Sequence, residues 1–200
     1  MNQSVPPVLR PAHPTPRPLT ELIERFGLEA RGEIAGVNTV GITLSTLDLR
    51  AGEVFVGIHG LRRHGAELAA DAKEKGAVAI ITDAEGAEIA APTGLPVLIA
   101  DSPRGVLAEI SSWIYGNDES MPLMLGVTGT NGKTSTVHLQ DGLLQQLGIP
   151  SGMSSSAHRH INGDVITARL TTPESSELHA PIAHMKEQGV ELFAPDVRVP

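Results

Sequence analysis

The feature that most constrains the fold is a glycine-rich stretch placed between an apolar segment and an amphipathic one. Residues 123–127 are apolar, residues 126–134 read GVTGTNGKT, and residues 133–147 carry leucines at helical spacing before Gly148. A strand, a glycine-rich loop and a helix in this order form the phosphate-binding unit of many α/β proteins. The sequence therefore predicts an α/β fold in which a buried strand leads directly into a phosphate-binding loop.

The residue types of this stretch suit a nucleoside triphosphate. Glycines let the backbone turn around phosphates with no Cβ in the way, and the following helix presents its positive N-terminal end. The Lys133 ammonium group would reach the β- and γ-phosphates as the catalytic cation, and the Thr134 hydroxyl would ligate Mg²⁺. Asn131 tolerates a left-handed conformation. The residues predicted to bind ATP are Gly126, Thr128, Gly129, Thr130, Asn131, Gly132, Lys133 and Thr134.

The loop departs from the strict phosphate-loop pattern by one residue. Val127, and not a glycine, stands five positions before Gly132, and Gly126 lies one position further back. The alternative is a glycine-rich turn with an incidental Gly-Lys-Thr. The apolar strand before the loop and the helix after it favour a variant phosphate loop over that alternative.

The composition narrows the class of protein. The chain has 200 residues, a formal net charge of −8 and no cysteine; 40% of its residues are hydrophobic and 2% aromatic. Few aromatics favour α/β layers, and the acidic charge argues against a nonspecific nucleic-acid binder. The lack of cysteine excludes a disulfide scaffold, a thiolate zinc site and a cysteine nucleophile. With no long apolar run and no signal peptide, we expect a cytoplasmic protein without a membrane span, and we take a monomer as the default.

The order of predicted elements indicates a tail and two α/β domains. Residues 1–18 hold six of the fifteen prolines and are predicted to be an irregular tail. Residues 19–116 form a small α/β domain, with one helix capped by Thr20 and another that starts at Ser102-Pro103 and buries Trp113. The polar stretch 117–122 is the predicted boundary, so residues 117–200 form an incomplete phosphate-loop domain.

The second predicted domain continues beyond the loop helix with two further elements. Residues 161–170 are predicted as a strand or hairpin and residues 174–188 as a helix. Pro181 falls inside that helix at a cost of about 3 kcal/mol, so either the helix kinks or this segment is not under selection to fold well. His158-Arg159-His160 has no carboxylate or further histidine at ligand spacing, so we predict a polar turn there and not a metal site.

At this point a family resemblance becomes specific. The loop over residues 126–134 resembles the ATP-binding signature of the Mur ligases and of the related folylpolyglutamate synthetases, which have the same extra residue. Thr171-Thr172-Pro173-Glu174 followed by Leu178-His179-Ala180 is similar to the muramyl-peptide-binding stretch of the tripeptide-forming branch. Residues 42–57 resemble the uridine-binding domain of that branch.

The resemblance implies substrate-binding residues as well as an activity. Thr46 falls where the branch has a uracil-contacting serine, Arg62 and Arg63 fall on a loop near the uridine diphosphate, and Thr171 and Thr172 would bind the muramyl peptide. The implied enzyme uses ATP and Mg²⁺ to convert a carboxylate of UDP-N-acetylmuramoyl-L-alanyl-D-glutamate into an acyl phosphate. The amine of an amino acid, L-lysine or meso-diaminopimelate in this branch, then forms the amide bond.

The end of the sequence departs from the family. The family continues into a strand with a Met-Glu-Val-Ser-Ser-His type motif, whose glutamate binds Mg²⁺, whereas this chain reads Pro195-Asp196-Val197-Arg198-Val199-Pro200. Asp196 does not match that glutamate in register, so its role is not carried over. No lysine matches the family's carbamylated lysine, and the domain for the incoming amino acid is absent. We therefore expect a truncated or frameshifted product without full ligase activity.

Three other functions stay open at this point. A non-catalytic module that binds UDP-sugar or nucleotide would use the same residues. Another Mur or folylpolyglutamate-type ligase would share the loop, although the Thr-Thr-Pro-Glu stretch and the first domain argue against it. A phosphate-loop ATPase would need a carboxylate that ends an apolar strand after the loop, and the sequence shows no convincing one.

Overall fold

The computed structural model describes residues 8–155, 158–162, 164–167 and 174–197. It divides the chain into two compact units. The first unit comprises Pro14–Asp118 and Ser175–His179, and the second comprises Met1–His13, Glu119–Glu174 and Ala180–Pro200. Both contain a five-stranded sheet with parallel pairs, which confirms the predicted α/β class. Within the described part of the chain, no helix combines the length and apolar character needed to cross a bilayer.

The first unit is built around a sheet with one antiparallel edge. Its strands are β1 Arg17–Pro18, β2 Glu29–Arg31, β3 Asn38–Thr39, β4 Gly41–Thr43, β5 Glu53–Gly57, β6 Ala79–Thr82 and β7 Val97–Ile99. Its helices are α1 Leu19–Phe26, α2 Ala69–Glu74, α3 Ala84–Ala90 and α4 Pro103–Ile114. The sheet order is β2-β7-β6-β5-β4; β4 to β7 run parallel and β2 runs antiparallel to β7. All residues of β5 and β6 are buried, as continuous apolar runs covered on both faces require.

Local signals set the ends of the helices in this unit. The Ser102 hydroxyl accepts the Gly105 amide at 3.2 Å with Pro103 as the first helical residue, and Trp113 is buried, all as predicted. Thr20 is not a cap, because α1 already begins at Leu19 and the extended backbone of Pro18 precedes it. Proline fixes φ near the value of the first helical turn and lacks the amide that would need a partner, so it suits this junction.

The end of the predicted irregular tail is structured. Arg17 and Pro18 form β1, which pairs antiparallel with β3, so the prediction for residues 1–18 is wrong at these two positions. Further back, Val8 is buried, and the amides of Ala12 and His13 donate to the Glu187 carboxylate at 2.6 and 2.7 Å. Tertiary contacts therefore order part of a proline-rich segment whose local sequence favours no regular structure.

The second unit carries the glycine-rich loop. Its elements are β8 Leu123–Met124, α5 Lys133–Gln146, β9 Ser151–Ser154, β10 His158–Ile161, β11 Asp164–Thr167, α6 Ser175–Glu187 and β12 Leu192–Pro195. The sheet order is β11-β10-β9-β12-β8, in which β12 runs parallel to both β9 and β8. Strands β9, β10 and β11 form an antiparallel meander. The first five residues of α6 group with the first unit.

Burial in the second unit differs from the sequence prediction. Strand β8 was predicted to be buried, but Leu123 is 65% exposed, because β8 lies at the edge of the sheet and pairs only with β12. On α5, Val137 and Leu144 are buried, whereas the leucines at 139, 143 and 147 stay exposed. The apolar residues of α5 therefore lie on two faces, and only one of them packs against the described sheet.

Two further predictions for this unit concern its hairpin and α6. The predicted strand or hairpin over 161–170 is observed as the β10–β11 hairpin, shifted to 158–167, so His158-Arg159-His160 lies in a strand and not in a polar turn. Pro181 lies inside α6, which continues on both sides of it. Proline removes one amide donor, but the surrounding helix persists because Ala180, Ile182 and Met185 are buried.

Candidate functional site: the glycine-rich loop and its neighbours

The loop between β8 and α5 has the backbone geometry of a phosphate cradle. Its first half is held to the sheet, because the Val127 amide donates to the Pro195 carbonyl at 3.1 Å. Gly129 has φ 146° and Gly132 has φ 80°, values that L side chains rarely adopt. Gly132 is also the N-cap of α5, so free amide groups of the first helical turn face the loop. Strand, loop and helix thus follow in the predicted order.

Lys133 closes the cradle from the helix side. Its Nζ donates to the carbonyl oxygen of Gly129, four residues earlier in the loop. The ammonium group is therefore held over the loop backbone. A phosphate oxygen placed there would replace the carbonyl as acceptor and would form a stronger, charge-assisted hydrogen bond.

Thr134 contacts a carboxylate from the neighbouring strand. Its hydroxyl donates to Asp196 Oδ2 at 3.0 Å. Asp196 directly follows β12, and its amide donates to the Ser154 carbonyl at 2.7 Å. It also forms a parallel bridge with Val127, which lies in the loop three residues after β8. The carboxyl ends of parallel strands meet at one edge of the sheet, which is why residues 62 positions apart come together here.

The two carboxylate oxygens of Asp196 differ in their surroundings. Oδ1 is buried and, within the part of the chain that the structure describes, accepts no hydrogen bond. A buried carboxylate oxygen left in this state costs free energy, so a bound cation or its water shell is a chemically suitable partner. From the sequence alone, Asp196 has no assigned role. The available signal was its position directly after the apolar strand β12.

The loop residues suit Mg²⁺ bound together with a phosphate. Among the described residues, no group of three or more His, Cys, Asp and Glu side chains is arranged to hold a metal alone. Mg²⁺ keeps several waters and is commonly bound by one or two carboxylates plus substrate phosphates. Thr134 and Asp196 supply such a partial ligand set, and the phosphate would supply the rest.

The predicted uridine-site residues lie in two turns of the first unit. Thr46 is buried in the turn after β4, and its carbonyl accepts the Lys75 ammonium at 2.7 Å. Arg62 and Arg63 are exposed in a separate turn after β5, which is closed by the Gly60 amide donating to the Arg63 carbonyl at 3.0 Å. The two arginines share this turn because they are neighbours in the sequence. Thr171 and Thr172 lie outside the described residues.

A buried histidine anchors the arginine turn. His64 Nδ1 accepts the Ala66 amide at 3.0 Å, so the proton resides on Nε2, which lies 3.1 Å from Asp83 Oδ1. Burial tends to raise the pKa of Asp83, but the Gly86 amide and His64 outweigh it and lower that pKa. Asp83 therefore stays ionised and holds the histidine, and with it the base of the turn, in place. The pairing of His64 with Asp83 is not visible in the sequence, where the two residues stand nineteen positions apart.

The chain is similar in sequence to known Mur ligases. Residues 127–197 match the Mur ligase middle domain. The chain is 45% identical over 197 residues to the UDP-N-acetylmuramyl-tripeptide synthetase of Leifsonia xyli, a match that covers 98% of the chain and 38% of the relative. It is 40% identical over 188 residues to the UDP-N-acetylmuramoyl-L-alanyl-D-glutamate–2,6-diaminopimelate ligase of Streptomyces avermitilis, covering 94% and 37%. The chain thus spans little more than a third of the length of these curated relatives.

Solved structures show the same fold. A structure of a UDP-N-acetylmuramoyl-L-alanyl-D-glutamate–2,6-diaminopimelate ligase superposes with a TM-score of 0.67 at 19% identity, covering 88% of this chain and 35% of that one. The MurF ligase of Thermotoga maritima in complex with ADP superposes with a TM-score of 0.52 at 21% identity, covering 78% and 31%. At 19% and 21% sequence identity, these superpositions show a common fold.

Proposed function

This chain belongs to the Mur ligase family, and on that basis we propose that it supplies the ATP-binding loop and the UDP-sugar-binding unit of a peptidoglycan-precursor ligase. The proposed reaction adds the third amino acid to UDP-N-acetylmuramoyl-L-alanyl-D-glutamate. The observation that carries the proposal is the loop itself, in which Lys133 and the Thr134–Asp196 pair converge at the N-terminus of α5.

The loop residues would bind and orient ATP. Gly129 and Gly132 leave the backbone amides free to face phosphate oxygens, and the positive end of α5 stabilises their charge. Lys133 would leave the Gly129 carbonyl for the β- and γ-phosphates and balance the charge that develops during phosphoryl transfer. Positioning and charge stabilisation supply most of the catalysis in such a transfer.

Thr134 and Asp196 would hold Mg²⁺ beside the phosphates. When bound, the ion neutralises phosphate charge and orients the transferred group. Thr134 would turn its hydroxyl hydrogen away from Asp196 to expose a lone pair, and Asp196 would direct its free Oδ1 toward the ion's water shell. The two side chains thus have a hydrogen bond to each other that ligand binding replaces.

The chemistry proposed for the whole enzyme balances as two displacements. A substrate carboxylate oxygen bonds to the γ-phosphorus of ATP and ADP leaves, which gives an acyl phosphate. The amine nitrogen of the incoming amino acid then bonds to the acyl carbon, loses a proton, and inorganic phosphate leaves with the electron pair. Relatives that are named as 2,6-diaminopimelate ligases favour diaminopimelate over L-lysine as the amine.

The first unit would bind the UDP moiety. Arg62 and Arg63 are exposed on one turn, and guanidinium groups are well suited to bind a diphosphate. Thr46 would contact the uracil, and Thr171 and Thr172 would bind the muramyl peptide. We also place the protein in the cytoplasm, where UDP-linked precursors and ATP are both present.

Two titrations test the proposal. ATP is titrated into the purified chain with MgCl₂ and with EDTA, and UDP-N-acetylmuramoyl-L-alanyl-D-glutamate is titrated separately. We expect both to bind, Lys133→Ala to abolish ATP binding, and the control His138→Ala, an exposed residue of the same helix, to leave it unchanged. Failure of ATP to bind would refute the assignment of the loop.

Turnover distinguishes the ligase from a binding module. The chain is incubated with ATP, Mg²⁺, the UDP-muramyl dipeptide and either L-lysine or meso-diaminopimelate, and tripeptide and ADP are measured. Stoichiometric tripeptide assigns the complete activity to these 200 residues. Binding of both ligands without tripeptide assigns only the two binding steps to this chain.

A further inference from the structure

A buried polar cluster connects the C-terminal half of α5 to the sheet. Its centre is Asp141, which is 5% exposed. Asp141 Oδ1 accepts the Ser151 hydroxyl of β9 at 2.9 Å. Asp141 Oδ2 accepts Gln145 Nε2 at 2.6 Å and lies 3.1 Å from His160 Nδ1 of β10. The cluster therefore ties one helix to two neighbouring strands.

Burying the Asp141 carboxylate costs free energy, and hydrogen bonds to both of its oxygens offset that cost. A carboxylate removed from water is tolerated only where hydrogen bonds satisfy both oxygens. Asp141 accepts one hydrogen bond on Oδ1 and one on Oδ2, the ring of His160 lies beside Oδ2, and Ser151 and His160 are themselves buried. An apolar side chain at this position would pack without these requirements, so the charge serves to specify one arrangement of α5 against the sheet.

The cluster shares strand β9 with the proposed Mg²⁺ site. Ser151, at the start of β9, holds Asp141, and the Ser154 carbonyl, at its end, holds the Asp196 amide. On α5, Thr134 precedes Asp141 by seven residues, which is about 10.5 Å at 1.5 Å per residue. On β9, Ser151 and Ser154 are three residues apart, which is about 10 Å at 3.3 Å per residue. The two spans match, so fixing Asp141 at one end of β9 brings Thr134 level with Asp196 at the other end.

We propose that Asp141 is a positioning residue for the nucleotide site, acting through α5 with Ser151 and His160 as its partners. It sets the position of α5 along β9 and thereby the contact between Thr134 and Asp196. This inference rests on the proposed function, because its consequence is the Mg²⁺-dependent part of ATP binding. Asp141 itself does not touch the nucleotide.

The test compares ATP affinity with Mg²⁺ and with EDTA. The measured quantity is the ratio of the two dissociation constants, determined for the full chain well below its melting temperature. We expect Asp141→Asn to reduce the gain that Mg²⁺ confers by about tenfold, the lower end of the effect of removing a supporting hydrogen-bond partner of a metal site. Ser151→Ala should reduce it less, and Ser151→Thr, which keeps a hydroxyl, should restore it.

A matched control separates positioning from general destabilisation. Leu144→Ala removes a buried side chain from the same helix and leaves the cluster intact, so it should lower stability without changing the Mg²⁺ ratio. An unchanged ratio in both Asp141→Asn and Ser151→Ala would overturn the inference while leaving the proposed function in place. A wild-type chain that does not bind ATP would overturn both. If Asp141→Asn does not fold, the comparison of Ser151→Ala with Ser151→Thr tests the inference in its place.

Hydrogen exchange gives a readout that needs no ligand. The Thr136 amide donates to the Gly132 carbonyl at 2.9 Å in the first turn of α5. We expect this amide to exchange faster in Asp141→Asn than in Leu144→Ala, because only the first variant frees the helix from β9. Equal protection in the two variants would contradict a positioning role.

Discussion

The replacement Asp196→Asn should change stability and ligand binding in opposite directions. In the folded chain, Asp196 Oδ2 accepts one hydrogen bond from Thr134, while Oδ1 is buried without a partner among the described residues. Asparagine has the same shape and no charge. It therefore keeps an acceptor for Thr134 and lowers the cost of burying the second polar atom.

The magnitudes follow from the contacts. A buried polar atom without a partner costs about 1–3 kcal/mol, and more if charged, whereas the Thr134 bond loses about 1 kcal/mol when its acceptor becomes neutral. The net gain is about 1 kcal/mol, or a rise in melting temperature of about 2–4 °C. For ligand binding, a carboxylate about 4 Å from a divalent ion contributes about 2 kcal/mol at the dielectric constant of water. Its removal should weaken Mg²⁺-dependent ATP binding about 30-fold.

Two measurements test the predicted gain in stability and the predicted loss of affinity. Thermal unfolding in EDTA gives the stability of the ligand-free chain, and calorimetric titration with ATP and MgCl₂ gives the affinity. Glu191→Gln is the control, because it makes the same charge change at an exposed position just before the same strand. A lower melting temperature for Asp196→Asn would refute the assignment of an unsatisfied oxygen. An unchanged affinity for MgATP would refute the ion site.

Three further predictions concern the fold. Gly86→Ala should destabilise the first unit by about 3 kcal/mol in urea unfolding, because its Cβ would lie 1.9 Å from the hydrogen-bonded Thr82 hydroxyl; a stable variant would contradict the close contact. Glu187→Gln should lose stability at neutral pH only. The Ala12 amide lowers the pKa of Glu187, so the wild-type advantage exists above the unfolded-state pKa and disappears as pH falls through the folded-state pKa; a difference that persists in acid would contradict this. Pro181→Ala should raise the urea midpoint, since about 3 kcal/mol of helix cost exceeds about 1.6 kcal/mol for two lost methylenes, giving about 1 kcal/mol.

Local chemistry made much of the fold predictable. Ser102 and Pro103 predict the start of α4, because side-chain capping and the fixed φ of proline act within one helical turn. Continuous apolar runs predict the parallel strands β5 and β6 because such strands are covered on both faces. Glycines that must adopt positive φ, such as Gly132, mark the loop before α5 for the same reason: the constraint lies in the residue itself.

The features that sequence reasoning missed depend on which strands become neighbours. Leu123 has the composition of a buried strand but lies at a sheet edge, and an apolar segment carries no information on how many partners it has. His160 was assigned to a polar turn because no ligand-like residue stands near it in sequence. Its partner Asp141 lies nineteen residues away on a helix, and only the crossing of α5 over β10 brings them together.

The two aspartates beside α5 show what distinguishes a structural carboxylate from a candidate ligand-binding one. Asp141 accepts a hydrogen bond on each oxygen, from Ser151 and Gln145, and lies 3.1 Å from His160 Nδ1, which fits a role in fixing the helix. Among the residues that the structure describes, Asp196 receives one side-chain donor, from Thr134, and its buried Oδ1 has no partner. Residue type and sequence spacing do not separate these two aspartates. The count of hydrogen bonds does, because a folded chain leaves a buried charge unsatisfied only where something else is to satisfy it. Removing the charge should therefore cost stability at Asp141 and increase it at Asp196.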